Sequence, residues 1–381
     1  MIYIIFVIAF LLCIFKYDYC QETNGRKVVY QIILLLLLLL LGLRYRIGTD
    51  TLTYSAVFET FPTLDNLTYS YVMSSRYAPL WIVFFSSLKS LTVDFIAVQF
   101  VISAFILFSL HKTLQYFKLE RYSFTVLFFY FIGPCYAMNC EQMREAVAIS
   151  LFLMSLPSLN EKRYKHYYIY TLFAFGFHHS AFIMFVFPFM ALLKVNIKSI
   201  VILLTLIPIT SLVREYISYL DTFLSYLSFD VYIYRIMEAD EKTWTIGAII
   251  AKIIVPLGCS YYLKKKNALP PILESLTIIM VGISILSQGI FILYRYVTFL
   301  SIPKMIIYTL FLYNILNTSN NIRKPIYMCS LLLFLYIEGC FWFKPLSWAD
   351  RYWYELIEPY SSVIDKKTHP IREGLYWQLD K

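Results

Sequence analysis

The chain has 381 residues, of which 60% are hydrophobic and only 15% are charged, and its formal net charge is +9. An ordinary soluble domain carries about 25% charged residues, so the composition excludes a soluble protein that buries its apolar residues in one core. The basic residues are spread through short loops, which argues against nucleic acid as a partner.

The apolar residues form continuous runs that lack the alternating pattern of barrel strands. Because backbone groups inside a bilayer must be hydrogen-bonded internally, we predict an all-α, polytopic membrane protein with about 11 to 13 transmembrane helices. The first run is expected to be retained, since no signal-peptide pattern surrounds it. The predicted spans are Tyr3–Phe15, Val28–Leu43, Leu80–Leu91, Phe95–Leu110, Phe124–Tyr136, Ala146–Leu156, Tyr167–Phe177, Ala181–Leu193, Ile200–Leu212, Ile246–Leu263, Ile272–Leu293, Val297–Ile315 and Ile326–Phe343.

Lysine and arginine near the span ends predict the orientation, because cytoplasmic loops are enriched in both. The expected cytoplasmic loops are 161–165, 264–266 and 323–324. The outer loops are then about 44–79 and 213–244, provided that Leu80–Leu91 is a half-length or re-entrant segment. We predict a single membrane domain over residues 1–343 and a polar aromatic tail over residues 344–381.

The 213–244 loop is rich in tyrosine and acidic residues. Tyrosine rings stack on sugars and acidic groups accept hydrogen bonds from sugar hydroxyls, so this loop is a candidate for acceptor recognition. A solvated loop with an interfacial helix explains the same composition.

A group of charged residues follows the poly-leucine span. Arg44, Arg46, Gly48 and Asp50 fall within seven residues, and Tyr54 follows one helical turn later. Ionisable residues at the ends of other apolar runs are Glu141, Arg144, His178, His179 and Arg295, the last of these beside Tyr294.

Ionisable groups at membrane depth are costly and often mark functional sites, although a single arginine at a helix end also snorkels to lipid headgroups. Several guanidinium groups at one face instead indicate an anion clamp, because the planar fork binds phosphate oxygens bidentately. The expected members of this clamp are Arg44, Arg46, Arg144 and Arg295.

The sequence contains no Walker loop, dinucleotide-binding glycine motif, HExxH motif or GxSxG motif. ATP-driven transport and zinc proteolysis are therefore disfavoured. No carboxylate pair suited to a divalent cation is evident, so we expect neither a metal ion nor a cofactor.

Four segments resemble the EpsG-type family of Wzy-like polysaccharide polymerases. They are Arg44-Tyr-Arg-Ile-Gly48-Thr-Asp50 with Tyr54, then Gln142-Met-Arg144, then Phe177-His178-His179-Ser180-Ala181, and then Tyr294-Arg295. The resemblance extends over most of the chain, from about residue 40 to residue 300. The family often has glutamine at the position of Glu145, and this departure leaves the role of that residue open.

The resemblance implies a GT-C/Wzy-like helical bundle in a bacterial inner (cytoplasmic) membrane, with an active site that faces the periplasm or the outside. Similar proteins are glycosyltransferases that join oligosaccharide repeat units carried on undecaprenyl pyrophosphate and release polyprenyl pyrophosphate. The expected partners are this lipid-linked oligosaccharide, the bilayer, and a chain-length regulator and flippase of the same pathway.

The resemblance and the chemistry together assign roles to the site residues. The expected pyrophosphate- and sugar-binding residues are Arg44, Arg46, Tyr54, Arg144, Tyr294 and Arg295. The candidate general bases, in order, are His178, Asp50 and Glu141, because imidazole has the ordinary pKa nearest neutrality. If the backbone is helical at His178, the ring of His179 points about 100° away from it.

Two other classes of function are considered. A flippase or transporter of lipid-linked sugars also needs a cationic cavity, but its charges would be distributed through the depth of several spans. A membrane O-acyltransferase also places a histidine near one face, but that function leaves the cluster of Arg44, Gly48 and Asp50 unexplained.

Overall fold

The structure is a computed structural model, and it describes residues 2–191, 193–210, 245–287, 293–318, 322–346 and 349–379. The predicted outer loop at 213–244 lies outside these residues. Its expected role in acceptor recognition therefore stays a prediction.

The described residues form helices almost throughout. In chain order the helices are α1 (Ile2–Cys13), α2 (Arg26–Gly42), α3 (Thr49–Thr60), α4 (Tyr69–Ser74), α5 (Pro79–Ser90), α6 (Phe95–Tyr116), α7 (Ser123–Ile132), α8 (Pro134–Glu141), α9 (Met143–Asn160), α10 (Tyr164–Phe177), α11 (Phe187–Met190), α12 (Ile197–Thr210), α13 (Ile246–Ile249), α14 (Val255–Lys265), α15 (Pro271–Leu286), α16 (Tyr294–Phe299), α17 (Ser301–Leu316), α18 (Arg323–Gly339) and α19 (Pro370–Leu379). Shorter 3-10 and π segments are Ile14–Tyr19, Leu64–Asn66, Glu120–Tyr122, His179–Phe185, Ile250–Ile254, Cys340–Phe343 and Trp353–Leu356. Strands β1 (Pro345–Leu346) and β2 (Ala349–Tyr352) pair in an antiparallel hairpin.

Within the described residues, four continuous helical segments are long and apolar enough to cross a bilayer, or five if one bent helix pair counts as a span. The four are Ile2–Tyr19, Phe95–Tyr116, Ile246–Lys265 and Arg323–Phe343. Further apolar helices are shorter, at 10–17 residues. These helices confirm the predicted all-α, polytopic membrane fold, and the number of about 11 to 13 spans stays a prediction.

The bent pair corresponds to the predicted span Phe124–Tyr136. The segment Glu120–Ile132 and helix α8 meet at an angle of 57°. Gly133 has an extended backbone between them, and Pro134 begins α8. Because proline lacks an N–H and clashes with the preceding turn, it starts a new helix here and does not continue α7. Another predicted span, Val297–Ile315, is similarly divided between α16 and α17.

Helix α5 matches the expectation for the segment Leu80–Leu91 in length. It contains 12 residues, which extend over about 18 Å and so fall short of the roughly 30 Å hydrocarbon core. A re-entrant path for this segment stays a prediction, because length alone does not define it.

The chain divides into two compact units. Unit 1 comprises Met1–Phe185 together with Leu335–Lys381, and unit 2 comprises Val186–Phe334. The predicted tail, residues 344–381, thus belongs to the same unit as the segment Arg44–Asp50, which we call the arginine motif. The division into a membrane domain over residues 1–343 and a polar tail over residues 344–381 stays a prediction.

Unit 2 has its own apolar core. Its buried members are Val195, Leu203, Ile278, Val281 and Ile285. Beside this core, the carboxylate of Glu274 accepts a hydrogen bond of 2.7 Å from the Val195 N–H and forms an ion pair of 2.7 Å with Lys264.

In unit 1, helix α2 packs closely against α6 at the point where the arginine motif begins. A Cβ atom at Gly42 would lie 2.7 Å from the Phe100 ring and 3.1 Å from the Phe100 Cα, so only glycine permits this approach. The loop 43–48 leaves α2 from this fixed point.

The tail holds the same loop through the backbone. The Tyr45 N–H donates to the Ser361 carbonyl at 2.9 Å, and the Val363 N–H donates to the Leu43 carbonyl at 2.9 Å. The Gly48 N–H also donates to the Leu356 carbonyl at 3.3 Å. Residues 356–363 therefore satisfy backbone groups of the loop that would otherwise lack partners.

Candidate functional site

Arg44 is the more deeply buried of the two arginines of this motif, with only 1% of its surface exposed. Its guanidinium donates to the Leu41 carbonyl, to the Thr51 hydroxyl at 3.4 Å and to the Asn139 carbonyl at 3.5 Å. A buried guanidinium that bonds to neutral carbonyls links the elements that carry those carbonyls. Arg44 thus joins the loop to α3 and α8, and its predicted contact with pyrophosphate stays a prediction.

Arg46 is half-buried and forms a bidentate ion pair with Glu373 of α19. Its Nε and Nη2 atoms lie 2.7 and 2.6 Å from the two carboxylate oxygens. This geometry is the fork-to-fork arrangement in which an arginine binds a carboxylate most strongly. The residue that we predicted to bind substrate is therefore held by the tail.

Glu141 caps the amino terminus of α3. Its carboxylate accepts hydrogen bonds from the Thr49 N–H at 3.1 Å, the Asp50 N–H at 3.0 Å and the Thr49 hydroxyl at 3.2 Å. An acidic group at a helix amino terminus satisfies orphan N–H donors and opposes the positive end of the helix dipole. Glu141, a predicted general base, thus has its oxygens engaged in positioning α3.

Gly48 makes room for this cap. Its φ angle is 91°, a region that residues with a side chain rarely adopt. A Cβ at this position would lie 2.8 Å from the Cys140 carbonyl oxygen and 3.0 Å from Oε1 of Glu141. The glycine of the motif therefore allows the loop to approach the end of α8.

Arg144 lies in the first turn of α9, directly after the kink at Gln142, and it faces α3 and the start of α5. Its Nε donates to the Tyr54 hydroxyl at 3.0 Å, and its Cζ lies 5.5 Å from the Tyr54 ring centre and 4.8 Å from that of Tyr77. Burial raises the pKa of the Tyr54 hydroxyl to about 12, against the lowering effect of Arg144. Tyr54 is consequently neutral, and it orients the guanidinium without cancelling its charge.

A second arginine, Arg76, contacts Tyr77, the other tyrosine that packs against Arg144. Nη2 of the exposed Arg76 donates to the Tyr77 hydroxyl at 3.1 Å, and its Cζ lies 5.2 Å from the Tyr77 ring centre. Among the residues that the structure describes, neither Arg76 nor Arg144 forms an ion pair with a carboxylate.

His178 is linked to the first turn of α9 through Ser180. It ends α10 with an extended backbone, so the offset of about 100° expected for a helix does not apply. Its Nδ1 accepts the Ser180 N–H at 3.2 Å and lies 2.6 Å from the Ser180 Oγ. Ser180 Oγ in turn donates to Oε1 of the buried Glu145 at 3.3 Å.

These contacts indicate which nitrogen of His178 carries the proton. A backbone N–H can only donate, so Nδ1 must be the acceptor, and the neutral ring then carries its proton on Nε2. The neighbouring His179 is exposed and packs edge-on against Phe175, with ring centres 5.5 Å apart. The two histidines therefore have different environments.

The comparison with protein families gives a match over nearly the whole chain, because the model of the EpsG family covers residues 27–362. The chain belongs to the EpsG family. No curated protein and no solved structure matches it. The resemblance noted from the motifs is thus confirmed, and membership of the EpsG family suggests a role of the polysaccharide-polymerase type.

Unit 1 of this EpsG-family protein brings together most of the predicted residues. Asp50 and Tyr54 of α3, Glu141 of α8 and Arg144 of α9 lie around the junction of these helices. Tyr294 and Arg295 belong to α16 of unit 2. Their predicted part in substrate binding stays a prediction.

The sequence-based site omitted Tyr77 and Ser180, which contact the predicted residues Arg144 and His178, and also Arg76, which contacts Tyr77. The sequence of Arg76 and Tyr77 carries no distinguishing signal, since an arginine–tyrosine pair also occurs outside the site, at Arg121-Tyr122, Arg163-Tyr164 and Arg351-Tyr352. Arg76-Tyr77 precedes Pro79, the residue that begins α5. The pair therefore lies at a helix entrance, where a charged side chain remains accessible.

Proposed function

We propose that this EpsG-family protein is a membrane glycosyltransferase that joins oligosaccharide repeat units carried on undecaprenyl pyrophosphate. A hydroxyl of the incoming unit attacks the reducing-end sugar of the growing chain. The carbon–oxygen bond to the pyrophosphate breaks, and polyprenyl pyrophosphate leaves with the bonding electrons. The proton of the hydroxyl passes to solvent or to a nearby base.

The observation that carries this proposal is the environment of Arg144. Its guanidinium is held by the hydroxyl of Tyr54 and by two aromatic faces, and no described carboxylate forms an ion pair with it. Aromatic contacts and neutral acceptors fix the orientation of a cation while they leave its charge available. Such a preorganised charge suits the negative charge that develops on a departing pyrophosphate.

His178 supports the same reaction as a hydrogen-bond donor. With Nδ1 engaged by Ser180, the proton on Nε2 suits an oxygen of the leaving group or of the donor sugar. This role differs from the general base that the sequence suggested first. The reaction remains feasible, because a stabilised leaving group reduces the need for a strong base.

The test uses the full-length protein reconstituted in liposomes with undecaprenyl-pyrophosphate-linked repeat units extracted from cells that lack it. Elongation of the lipid-linked sugar, seen as a ladder on a gel, is the expected result. Arg144→Ala should lower the rate by about 100-fold or more, the usual loss for one preorganised donor. Arg144→Lys should restore little, since a point charge does not reproduce the bidentate fork.

The matched control is Arg121→Ala, because Arg121 is exposed in the short 3-10 segment Glu120–Tyr122 and belongs to no part of the site. It should polymerise at the wild-type rate. Transfer of the lipid-linked unit across the bilayer without elongation would instead identify a flippase, and acylation of the sugar would identify an acyltransferase. Normal elongation by Arg144→Ala would contradict the assigned role of the arginine.

A further inference from the structure

Two arginines meet on one tyrosine ring in unit 1, and only one of them was singled out by the sequence. Arg144 comes from α9 and Arg76 from the residues before α5, and their Cζ atoms lie 4.8 and 5.2 Å from the centre of the Tyr77 ring. The two cationic carbons therefore cannot be further apart than the sum of these distances. Salt screens exposed charges over about 8 Å, but a partly buried cation such as Arg144 is screened less, so the two guanidiniums still repel each other.

Neutral tyrosine side chains hold both guanidinium groups in place. Tyr77 is buried, and its hydroxyl accepts a hydrogen bond from Arg76 while its ring contacts Arg144. The Tyr54 hydroxyl accepts a hydrogen bond from Arg144, and the Tyr54 ring packs at a tilt against Trp81, with ring centres 5.6 Å apart. The Asp50 carboxylate attracts Arg76 electrostatically, but among the described residues no ion pair joins either arginine to a carboxylate.

A pair of like charges that is fixed by neutral groups is complementary to a dianionic ligand. Each guanidinium offers a planar fork of N–H donors that matches two oxygens of one phosphoryl group. A diphosphate has two adjacent phosphoryl groups, so one fork can engage each of them. A monophosphate presents a single group and gains less from the second cation.

We propose that Arg76 and Arg144 form a two-guanidinium site for a diphosphate group, with the Tyr77 ring as the spacer between them. The inference deepens the proposed function, on which it rests, by naming a second cation for the lipid-linked donor within unit 1. The same chemistry fits the diphosphate of the donor and that of the released polyprenyl diphosphate.

The first experiment measures binding without turnover. Full-length protein in detergent is heated with methylenediphosphonate, a diphosphate that cannot be hydrolysed, and with inorganic phosphate as the single-group control. A ligand that binds the folded state raises the melting temperature, by about 3 °C at ten times its Kd. Methylenediphosphonate should stabilise the wild type and Arg121→Ala equally, and phosphate should stabilise both less.

The variants locate the effect. Arg76→Ala should abolish the stabilisation by methylenediphosphonate, and because Arg76 is exposed the variant is expected to fold. Tyr77→Phe keeps the ring but removes the hydroxyl that accepts from Arg76, so it should weaken diphosphate binding by a smaller factor, about threefold. Equal stabilisation of the wild type and Arg76→Ala would overturn the proposal, as would no stabilisation of the wild type.

A kinetic experiment separates this inference from the proposed function. In the elongation assay, Arg76→Ala should raise the KM for the lipid-linked donor by about tenfold, the value of one lost charge-assisted contact. An unchanged KM with normal elongation would refute the role of Arg76 while the polymerase function stands. Diphosphonate binding that depends on Arg76, in a protein that elongates nothing, would leave the site intact and refute the polymerase function.

Discussion

Arg46 and Glu373 form a bidentate ion pair although 327 residues separate them in the chain. The pair fastens α19 to the loop that also carries Arg44 and Gly48. Because both side chains are partly exposed, we expect the pair to contribute only about 1 kcal/mol to the free energy of unfolding.

The first prediction compares Arg46→Ala with Glu373→Ala. If the pair is structural, both variants should lose a similar small amount of stability and retain similar polymerase activity. If Arg46 also contacts substrate, as the sequence suggested, Arg46→Ala should lose far more activity than Glu373→Ala. The measurements are the melting temperature and the rate of chain elongation, with Glu161→Ala as the control for an exposed ion pair, that with Arg163.

Gly48 gives a second prediction. Gly48→Ala should destabilise unit 1 by about 1–3 kcal/mol, because alanine is strained at a φ of 91° and its Cβ would press on Cys140 and Glu141. Displacement of Glu141 should also loosen the cap on α3. Thermal denaturation measures the loss.

The control for this variant is Gly374→Ala in α19. No heavy atom lies within 4 Å of the Cβ that alanine would add there, and alanine is the better helix former. Gly374→Ala should therefore be neutral or slightly stabilising. Equal melting temperatures for both variants and the wild type would show that the close approach at Gly48 is not required.

A third prediction concerns metal ions. If guanidinium groups neutralise the departing pyrophosphate, elongation should continue in the presence of a chelator such as EDTA at millimolar concentration. The rate should instead fall as the salt concentration rises, because salt screens the attraction between the arginines and the diphosphate. Loss of activity in EDTA that Mg²⁺ restores would assign the neutralising role to a metal ion.

The fold class was predictable from the sequence, but the breaks within two of the predicted helices were not predicted. Composition and continuous apolar runs were sufficient to predict helices in a membrane. The bend between α7 and α8 carried a signal, since Gly133-Pro134 is a breaker pair that the hydrophobic pattern concealed. The division between α16 and α17 at Leu300 also carried a signal, because Pro303 lies in the first turn of α17 and has no N–H to donate to the Phe299 carbonyl.

The candidate site was predictable as a set of residue types more than as a set of contacts. The motifs identified Arg144 and Tyr54, which the structure brings together. The partner of Arg46 was not predictable, because pairing across hundreds of residues depends on how the tail folds back. Likewise, the Glu145 carboxylate reaches Ser180 only because α9 and α10 pack side by side.

The last prediction concerns His178 and uses amides that replace one ring nitrogen at a time. The amide nitrogen of glutamine lies near the position of Nε2, and that of asparagine lies near Nδ1. If His178 donates a hydrogen bond from Nε2, His178→Gln should retain much of the activity. His178→Asn and His178→Ala should both lose about 100-fold or more, the usual cost of a missing donor in a catalytic site.

If His178 is instead the general base, no amide can replace it. All three variants should then be equally slow, and they should lose a pH dependence of the rate that the wild type shows.

His179→Ala is the matched control, because His179 is exposed and its ring packs on Phe175. It should stay within about twofold of the wild-type rate. The elongation rate is measured against pH for each variant, with the amount of protein in the membrane as a check on folding. An active His178→Gln beside an inactive His178→Asn supports the donor, because Ser180 occupies Nδ1 and leaves Nε2 to carry the proton.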